Sequence, residues 1–418
     1  MPSDFNFLLY YIANIELVFF TYILFLICVC LYYKKHWNNV DFTNNMIEIA
    51  AFFVLLICCY IYNLTICGEG FCLQFCSCSI FFLYCKLFIL VLTFFSLILS
   101  VDYFKNEKYA LPEFPILVLF SALGMLFIIQ TSDFFLFFLG LEIQSLIFYI
   151  LAGLKRYSNL SIESSLKYFI YGSYSSCIML FGISFIYFFF GTLNILEINN
   201  MIVDGNVQLN NMYLLIGIVL FISSLFFKIA TFPFHFWIAD VYEGSPIVVT
   251  AFFAIVPKFA IFIALIKLYV FLFYFFTPYL STLYFCCGIL SVLYGTIISL
   301  YQTKVKRLLA YGAISHVGFI LVSISLGSVS GIVSSILYLV SYVVISFGIF
   351  SIVTAFREQK STYKIRNLVE FSTMFRSSYF FAFVLFCSLL SAAGIPPFFG
   401  FFGKAYIFYS MLLQNYNF

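Results

Sequence analysis

Long apolar blocks alternate with short polar stretches along almost the whole chain, and this pattern predicts membrane-spanning helices. The blocks reach the roughly 20 residues that a helix needs to cross the hydrocarbon core of a bilayer. Blocks such as FFLYCKLFILVLTFFSLILS are apolar on every face, whereas strands of a β-barrel would alternate apolar and polar residues. We predict about twelve spans, centred near residues 20, 55, 90, 120, 142, 178, 220, 260, 290, 316, 342 and 395. The expected fold class is all-α, a polytopic membrane helical bundle.

The positions of the basic residues support this number of spans. If the N-terminus lies on a side of the membrane called B, fourteen of the 20 Lys and Arg residues fall in loops on the other side, A, and none in loops on side B. Basic loops tend to remain on the side from which helices are inserted. We therefore expect both termini on side B. The side-A residues are Lys34, Lys35, Lys105, Lys108, Lys155, Arg156, Lys304, Lys306, Arg307, Arg357, Lys360, Lys364, Arg366 and Arg376.

Composition excludes a soluble globular protein. Of the 418 residues, 64% are hydrophobic and only 9% are charged, more apolar side chain than a soluble chain can bury. The net charge of +3 gives no indication of nucleic-acid binding.

The six remaining basic residues are lysines inside predicted spans: Lys86, Lys167, Lys228, Lys258, Lys267 and Lys404. A charge at mid-bilayer costs about 2.5–3.5 kcal/mol, so such residues usually face the interior of a bundle and mark an ion or proton path. The alternative is that the long stem lets the ammonium reach the headgroups. We expect this snorkelling for Lys86 and Lys267, which lie near span ends, and a functional role for the deeper Lys228 and Lys258 and for Lys404 beside a helix break.

Two polar stripes are predicted to face the protein interior. Glu142 is followed by Ser145 and Tyr149 at helical spacing. Lys167 heads a similar stripe with Tyr171 and Tyr174, which makes Lys167 a further candidate relay residue. A buried carboxylate and a buried ammonium on adjacent helices form a pair that moving either partner can switch.

Two spans are interrupted by helix-breaking residues. Pro233 follows Lys228 in SSLFFKIATFPFHFW, and Gly394, Pro396 and Pro397 precede Lys404 in LLSAAGIPPFFGFFGKAYIFY. A proline removes an amide donor, so the carbonyls freed at the break need water or side chains. Paired interruptions in two halves of a chain indicate a transporter built from repeats, with its sites at the breaks.

His316 lies in another predicted span, in KRLLAYGAISHVGFILV. A histidine can bind and release a proton near neutral pH, although a single buried histidine is as often only hydrogen-bonded. Together with Lys228, Lys258 and Lys404 it predicts a row of titratable groups on four central helices, which is typical of a proton path.

Five stretches of the chain resemble the antiporter-like membrane subunits of respiratory complex I, NADH:quinone oxidoreductase, and the DVYEGSP wording is closest to those of the subunit 2 type. They lie between about residues 133 and 410 and read FLGLEIQSLIFYILAG, SSLKYFIYGS, FKIATFPFHFWIADVYEGSPIVVTAFFAIVPKFAIFIALI, KVKRLLAYGAISHVGF and AGIPPFFGFFGKAYIF. The resemblance implies inverted five-helix repeats with broken helices. We accordingly expect a three-helix segment at 1–110, a first repeat at 111–275 and a second, apparently incomplete repeat at 276–418.

The resemblance also implies roles for individual residues. The family's glutamate of the fifth helix matches Glu142, and its lysine of the broken seventh helix matches Lys228. The lysine of the eighth helix matches Lys258, the relay histidine matches His316, and the lysine of broken helix twelve matches Lys404. These residues are implied to carry protons from side A towards side B, driven by quinone reduction elsewhere in the complex. No cofactor and no metal is expected on this chain.

The expected partners are other complex I membrane-arm subunits and the lipid bilayer. Bacterial-type members of the family have fourteen helices, whereas twelve are predicted here, so we expect a separate chain to supply the missing C-terminal helices; shortening by lineage is the alternative. The 61 Phe and 32 Tyr with only 2 Trp are typical of AT-rich organellar coding. The expected location is the mitochondrial inner membrane, with a bacterial inner membrane as the alternative.

Four cysteines fall in one predicted side-B loop: Cys67, Cys72, Cys76 and Cys78. Reduced thiols are the default expectation, a disulfide is an alternative on an oxidising side of the membrane, and a metal site would need tighter spacing. Two rival functions also remain at this stage. One is a stand-alone Mrp-type cation/proton antiporter, and the other is a structural membrane spacer, which would need no row of lysines.

Overall fold

The computed structural model describes residues 15–33, 39–66, 80–107, 109–204, 211–355, 367–373 and 378–414. Within these ranges the chain is almost entirely α-helical, with a single antiparallel bridge between Lys304 and Asn367. In chain order the helices are α1 (Ile15–Tyr32), α2 (Val40–Ile66), α3 (Ile80–Glu107), α4 (Glu113–Gln130), α5 (Phe134–Ala152), α6 (Asn159–Phe190), α7 (Ile195–Val203), α8 (Met212–Ile229), α9 (Phe236–Gly244), α10 (Ile247–Phe271), α11 (Thr277–Leu300), α12 (Val305–Ser325), α13 (Val329–Ala355), α14 (Tyr379–Ala393) and α15 (Phe399–Leu413).

The predicted spans correspond closely to these helices. In the described part of the chain, 11 helices are long and apolar enough to cross a membrane, one for each of the first eleven predicted spans. The twelfth predicted span consists of the two shorter apolar helices α14 and α15. The all-α membrane-bundle fold class is thus confirmed. The loop that holds Cys67, Cys72, Cys76 and Cys78 lies outside the described residues, as do Lys34, Lys35, Lys108 and the basic residues from 357 to 376.

The chain divides into two compact units, Met1–Leu151 and Ala152–Phe418. In the first unit α4 packs against α1 and α3, and α2 packs against α3. In the second unit α6 packs against α8, α11 against α12, and α13 against α10, α14 and α15. The predicted segment boundaries at 110 and 275 remain predictions.

Helix α10 forms the centre of the second unit. Every residue from Val248 to Tyr269 is buried, so the helix is enclosed on all faces. The sequence explains this position, because α10 carries apolar side chains all around and small alanines that let neighbours approach. The outer helices instead expose large apolar side chains, such as Phe188 of α6 and Leu300 of α11.

Both predicted breaks are present, and their local backbones are alike. Ala230, with a φ of 64°, directly follows the last residue of α8, and Gly394, with a φ of 84°, directly follows that of α14. Each of these left-handed residues precedes a proline by three positions, Pro233 in the first break and Pro397 in the second. Two interruptions of the same design, one in each half of the second unit, agree with a fold built from repeats.

Candidate functional site

Lys258 lies in the middle of α10 and is only 3% exposed. Its Nζ has no hydrogen-bond partner among the described residues, and it lies 5.7 Å from the centroid of the Tyr342 ring on α13. The Tyr342 hydroxyl donates a 2.8 Å hydrogen bond to the Ala254 carbonyl. Pro257 immediately precedes the lysine and has no N–H, which leaves the Phe253 carbonyl without its usual helical donor. The amine therefore lies beside an aromatic face and near a locally opened helix.

His316 on α12 connects two tyrosines of α13. Its Nδ1 lies 2.6 Å from the Tyr338 hydroxyl, and which of the two atoms donates depends on the tautomer of the ring. The ring centroids of His316 and Tyr342 are 5.4 Å apart. Because Tyr338 and Tyr342 are one helical turn apart, the histidine contacts both.

Lys404 lies on α15 and binds across the second break. Its Nζ donates to the carbonyls of Ala392 and Ala393 at 2.9 and 3.0 Å. These are last-turn carbonyls of α14, which lack helical partners and form the negative end of the helix dipole, so an ammonium suits them. A Cβ on Gly394 would lie 3.2 Å from the Lys404 Nζ, so the glycine both adopts the left-handed conformation and leaves room for the amine.

These contacts form one chain of groups across four helices. The Lys404 Nζ lies 5.4 Å from the Phe319 ring, whose centroid is 5.7 Å from that of Tyr338. We call the connected groups the buried row; its members are Lys258, Tyr342, His316, Tyr338 and Lys404. The buried row brings together three of the residues predicted from sequence.

Neither tyrosine of the buried row was predicted from the sequence, although α13 carries a signal for them. Ser334, Tyr338, Tyr342 and Ser346 recur every fourth residue, and all four are buried. Such a polar stripe on an apolar helix indicates a face turned towards other polar groups.

Lys228 lies in the last turn of α8, at the first break. Its side chain is half-buried and its Nζ is shielded from solvent. The break is bridged by Trp237, whose Nε1 donates to the Phe227 carbonyl at 3.0 Å and whose ring stacks on Tyr168 at 4.7 Å. At the first break, an indole N–H therefore binds a carbonyl near the end of α8. At the second break, the Lys404 amine binds carbonyls at the end of α14.

His235 also lies at this break and was not among the predicted site residues. It is 2% exposed, and neither ring nitrogen has a hydrogen-bond partner among the residues that the structure describes. Its ring centroid is 4.1 Å from that of Tyr294 on α11. The signal was its place two residues after Pro233, inside an otherwise apolar stretch.

Glu142 lies on α5 in the first unit. Ser145 and Tyr149 are buried, as the predicted stripe requires, and Glu142 Oε1 is shielded from solvent. The Ser145 hydroxyl donates to the Glu142 main-chain carbonyl at 3.1 Å. The pairing of Glu142 with Lys228 remains a prediction.

Lys167 differs from expectation. Its stripe does not face the interior, because Tyr171 and Tyr174 are 39% and 61% exposed. The Lys167 amine forms 2.7 Å ion pairs with Glu163 and with Asp240 on α9. Two carboxylates therefore stabilise the charge where the side chain is partly open to solvent, and the prediction of a buried ammonium is wrong.

Further charges join this pair into a cluster at the end of α9. Asp240 also contacts Arg307 at 3.4 Å, and Glu243 pairs with both Lys304 and Arg307. We call this group the side-A cluster; its members are Glu163, Lys167, Asp240, Glu243, Lys304 and Arg307. The cluster connects the end of α9 to α6 and to the start of α12. This agrees with the pattern of basic loops, which predicted that these ends share one side of the membrane.

Lys86 and Lys267 also differ from expectation. Their ammonium groups were expected to snorkel to the headgroups, but within the described fold both side chains are buried. They are 3% and 4% exposed. The Lys86 Nζ lies 2.6 Å from Glu16 Oε1 on α1 and 2.7 Å from Gln130 Oε1 at the end of α4. Position near the end of a span does not reveal which way a side chain faces, and here it faces a carboxylate.

Comparison with known proteins identifies the architecture. The sequence model of a family described as NADH:quinone oxidoreductase/Mrp antiporter, TM, matches residues 131–418. NADH-ubiquinone oxidoreductase chain 2 of Marchantia polymorpha is 38% identical over 320 residues, which cover 76% of this chain and 64% of that protein. The chain thus spans slightly less than two thirds of the length of this curated relative.

Two solved structures share the fold. A chain of respiratory complex I from Thermus thermophilus matches with a TM-score of 0.77 and 23% identity, covering 97% of this chain and 83% of that chain. A chain of the Mrp complex from a Dietzia species matches with a TM-score of 0.77 and 21% identity, covering 94% and 74%. The family match covers residues 131–418, which is well over half of the present chain. The chain therefore belongs to the NADH:quinone oxidoreductase/Mrp antiporter transmembrane family.

Proposed function

We propose that the chain is a proton-translocating membrane subunit of respiratory complex I, of the subunit 2 type, and that it moves protons as quinone is reduced elsewhere in the complex. The observation that carries this proposal is the buried row, in which two amines, an imidazole and two phenol hydroxyls follow one another; Lys258, Tyr338 and Tyr342 are buried, and His316 and Lys404 are half-buried. NADH, flavin and iron–sulfur chemistry belong to other subunits in this proposal. This chain supplies the proton path and no redox centre.

The two ends of the buried row stabilise a proton unequally. A charged Lys404 is held by two carbonyls, whereas the Lys258 Nζ lies near the Tyr342 ring and has no hydrogen-bond partner among the residues that the structure describes. Burial without such partners disfavours a charge. A proton therefore gains stability as it passes from Lys258 through His316 to Lys404. A charge on either lysine also opposes a second charge on His316 by Coulomb repulsion, which keeps successive protons apart.

Glu142 and Lys228 complete the proposed path as the switch that loads the buried row. Loss of a counter-charge near Lys228 would favour release of its proton. Lys167, paired with two carboxylates on side A, serves in this scheme as a fixed charge near the uptake side.

Replacement of Lys258 by alanine in the intact complex tests the proposal. We expect the complex to assemble and proton translocation to fall at least tenfold, because the amine at the start of the buried row is lost. Lys267→Ala is the matched control, since Lys267 is equally buried on the same helix but is not a member of the row. If Lys258→Ala leaves translocation per assembled complex unchanged, a structural spacer is favoured, whether or not the amount of assembled complex changes.

A stand-alone Mrp-type cation/proton antiporter is the second candidate. The family description and the match to the Mrp complex favour it, because the same fold occurs in that complex. Purification distinguishes the two candidates. If the chain is isolated without quinone-reductase partners and transports Na⁺ on reconstitution, it is a stand-alone antiporter and the first proposal is wrong.

The proposed location is the mitochondrial inner membrane. The Phe-rich and Tyr-rich composition and the similarity to a ubiquinone oxidoreductase chain support it. A bacterial inner membrane is the alternative. Fractionation of the source cells tests this part of the proposal.

Other membrane-arm subunits are the proposed partners, and one of them is proposed to cover the second break. Helices α14 and α15 expose large apolar side chains, and Lys404 between them is only half-buried. A broken helix with a charged amine is not stable against hydrocarbon, because its free carbonyls need partners. We assign the cover to helices of a separate polypeptide.

A further inference from the structure

Trp237 makes a polar contact across the first break. It lies in the first turn of α9, is 5% exposed, and its Nε1 donates a 3.0 Å hydrogen bond to the Phe227 carbonyl in the last turn of α8. That carbonyl and the amide nitrogen of Lys228 belong to one planar peptide group. The indole therefore fixes the orientation of the main chain at the point where Lys228 begins.

This hydrogen bond replaces one that the interruption of α8 moves elsewhere. In a continuous helix the Thr231 N–H would bind the Phe227 carbonyl. Here Ala230 is left-handed, and the Thr231 N–H binds the Phe226 carbonyl at 3.1 Å instead. The Phe227 carbonyl accepts from the Ala230 N–H at 3.1 Å and from the indole, so both of its lone pairs are used.

The ring of Trp237 connects the same place to the central helix α10. It stacks on the Tyr168 ring of α6, with the centroids 4.7 Å apart and the planes 8° from parallel. The Tyr168 ring in turn meets the edge of Phe253 on α10 at 5.9 Å. Phe253 lies five residues before Lys258 on that helix. A continuous line of contacts therefore runs from the peptide before Lys228 to the part of α10 that leads to Lys258.

The other end of α9 is held independently of the indole. Asp240 and Glu243 pair with the cations of the side-A cluster on α6 and at the start of α12. A helix of nine residues has little stability of its own, so α9 takes its position from contacts of this kind. Trp237 thus ties the last turn of α8 to a helix that is itself tied to α6 and α12.

The donor at the first break also differs in kind from the donor at the second. Lys404 binds the last-turn carbonyls of α14 with its own amine. At the first break an indole binds the carbonyl, and an indole N–H can only donate. The chain has 61 Phe and only 2 Trp, so its usual ring for packing is not the one used here. The Phe227 carbonyl is thereby bonded without drawing on the Lys228 amine.

We propose that Trp237 is a positioning residue of the proton path and carries no proton itself. Its N–H fixes the peptide before Lys228, and its ring contacts keep that peptide at a set place relative to α10. Proton transfer needs a donor and an acceptor within hydrogen-bond reach, directly or through one water, so a small displacement of the Lys228 main chain slows transfer towards Lys258. The inference rests on the proposed function, because the role that it assigns lies between these two lysines.

Two analogues in place of Trp237 test the N–H separately from the ring. Benzothienylalanine has the same two-ring shape with sulfur instead of the N–H group, whereas 5-fluorotryptophan retains the N–H. Ser161→Ala is the matched control, because the buried Ser161 hydroxyl donates a 2.8 Å bond to the carbonyl of Ala152, the last residue of α5. Proton translocation, quinone reduction and the amount of assembled complex are measured in the intact complex reconstituted in vesicles, with Lys258→Ala alongside.

We expect benzothienylalanine to lower translocation per assembled complex several-fold, because the peptide before Lys228 loses its side-chain donor while the ring contacts remain. 5-Fluorotryptophan should restore the wild-type rate, and Ser161→Ala should leave it unchanged although it also loses a buried bond to a helix-end carbonyl. Wild-type rates with benzothienylalanine, an equal loss with 5-fluorotryptophan or in Ser161→Ala, or failure of only the benzothienylalanine variant to assemble would each overturn the inference. Retained translocation in Lys258→Ala would instead overturn the proposed function.

Discussion

At the scale of single residues, the first unit contains a buried ion pair. Lys86 and Glu16 form an ion pair with side chains only 4% and 7% exposed. Removing water from two charges is expensive, and their attraction offsets that cost only while both are present. The Gln130 amide oxygen accepts a second hydrogen bond from Lys86 and so ties the end of α4 to α1 and α3.

The single substitution Lys86→Leu should destabilise the protein more than the double substitution Glu16→Leu with Lys86→Leu. We expect the single change to cost about 3–5 kcal/mol, because it leaves a carboxylate buried without its counter-charge, and the double change to recover most of this. Thermal unfolding in detergent measures both. Lys105→Leu is the control, since Lys105 lies on the same helix and is exposed. Equal losses in the single and double variants would contradict this account.

Sequence identified which residues carry charge inside the membrane, but not the direction in which each one faces. Lys258 was correctly predicted to be buried from its depth in a span. Lys86 was wrongly expected to snorkel, because its partner Glu16 lies 70 positions away in sequence and no spacing rule connects them. Tyr338 and Tyr342 carried a readable four-residue spacing. The contact with His316, however, depends on how α12 and α13 pack.

At the scale of whole elements, helix pairs in the second unit are fixed by close backbone approach. Helices α11 and α12 meet at Gly288 and Gly318, where a Cβ on Gly318 would lie 2.6 Å from the Gly288 carbonyl oxygen and 2.2 Å from Ser291 Oγ. Without a strong hydrophobic force between helices in lipid, such close contact supplies much of the association energy. Helix α12 carries His316, so this contact also sets one member of the buried row.

Gly318→Ala and Gly312→Ala should change stability in opposite directions. Alanine at 318 forces α11 and α12 apart at a cost of about 1–3 kcal/mol. Gly312 lies on the same helix with nothing within 4 Å of its added Cβ, so alanine there should stabilise the helix by up to about 1 kcal/mol. Thermal unfolding of the two variants compares them directly. Shifts of the same sign would show that the close approach does not limit the packing.

The elements themselves were largely predictable, because the thickness of the bilayer dictates the length of an apolar block. The breaks were predictable because Pro233 and Gly394 are residue types that interrupt a helix. Helix α7 was missed, since its nine residues are too short to span a membrane. It carries a signal of its own: Asn194 caps it by accepting a 3.0 Å bond from the Leu196 amide, and Ile195, Ile198 and Ile202 form one buried face.

At the scale of the second unit as a whole, the two breaks differ in how well they are covered. At the first break, ten residues of α8 and five of α9 are buried. At the second break, burial on α15 is limited to Gly400, Gly403, Ile407 and Ser410, one narrow stripe. The second unit shields one broken helix and leaves the other open, so we expect a neighbouring polypeptide on the open side.

A photo-reactive benzoyl-phenylalanine in place of Phe402 should report that neighbour. Phe402 is 58% exposed on α15, two residues from Lys404, so we expect irradiation of the intact complex to attach the chain to a second polypeptide. The same analogue in place of Ile407, which is 1% exposed, should give cross-links within the chain only. Mass spectrometry of the products identifies what is attached. Lipid adducts at 402 would place hydrocarbon against the second break. Lys404 would then have to hold the carbonyls of Ala392 and Ala393 at a lipid surface, where partial exposure of its charge is most costly.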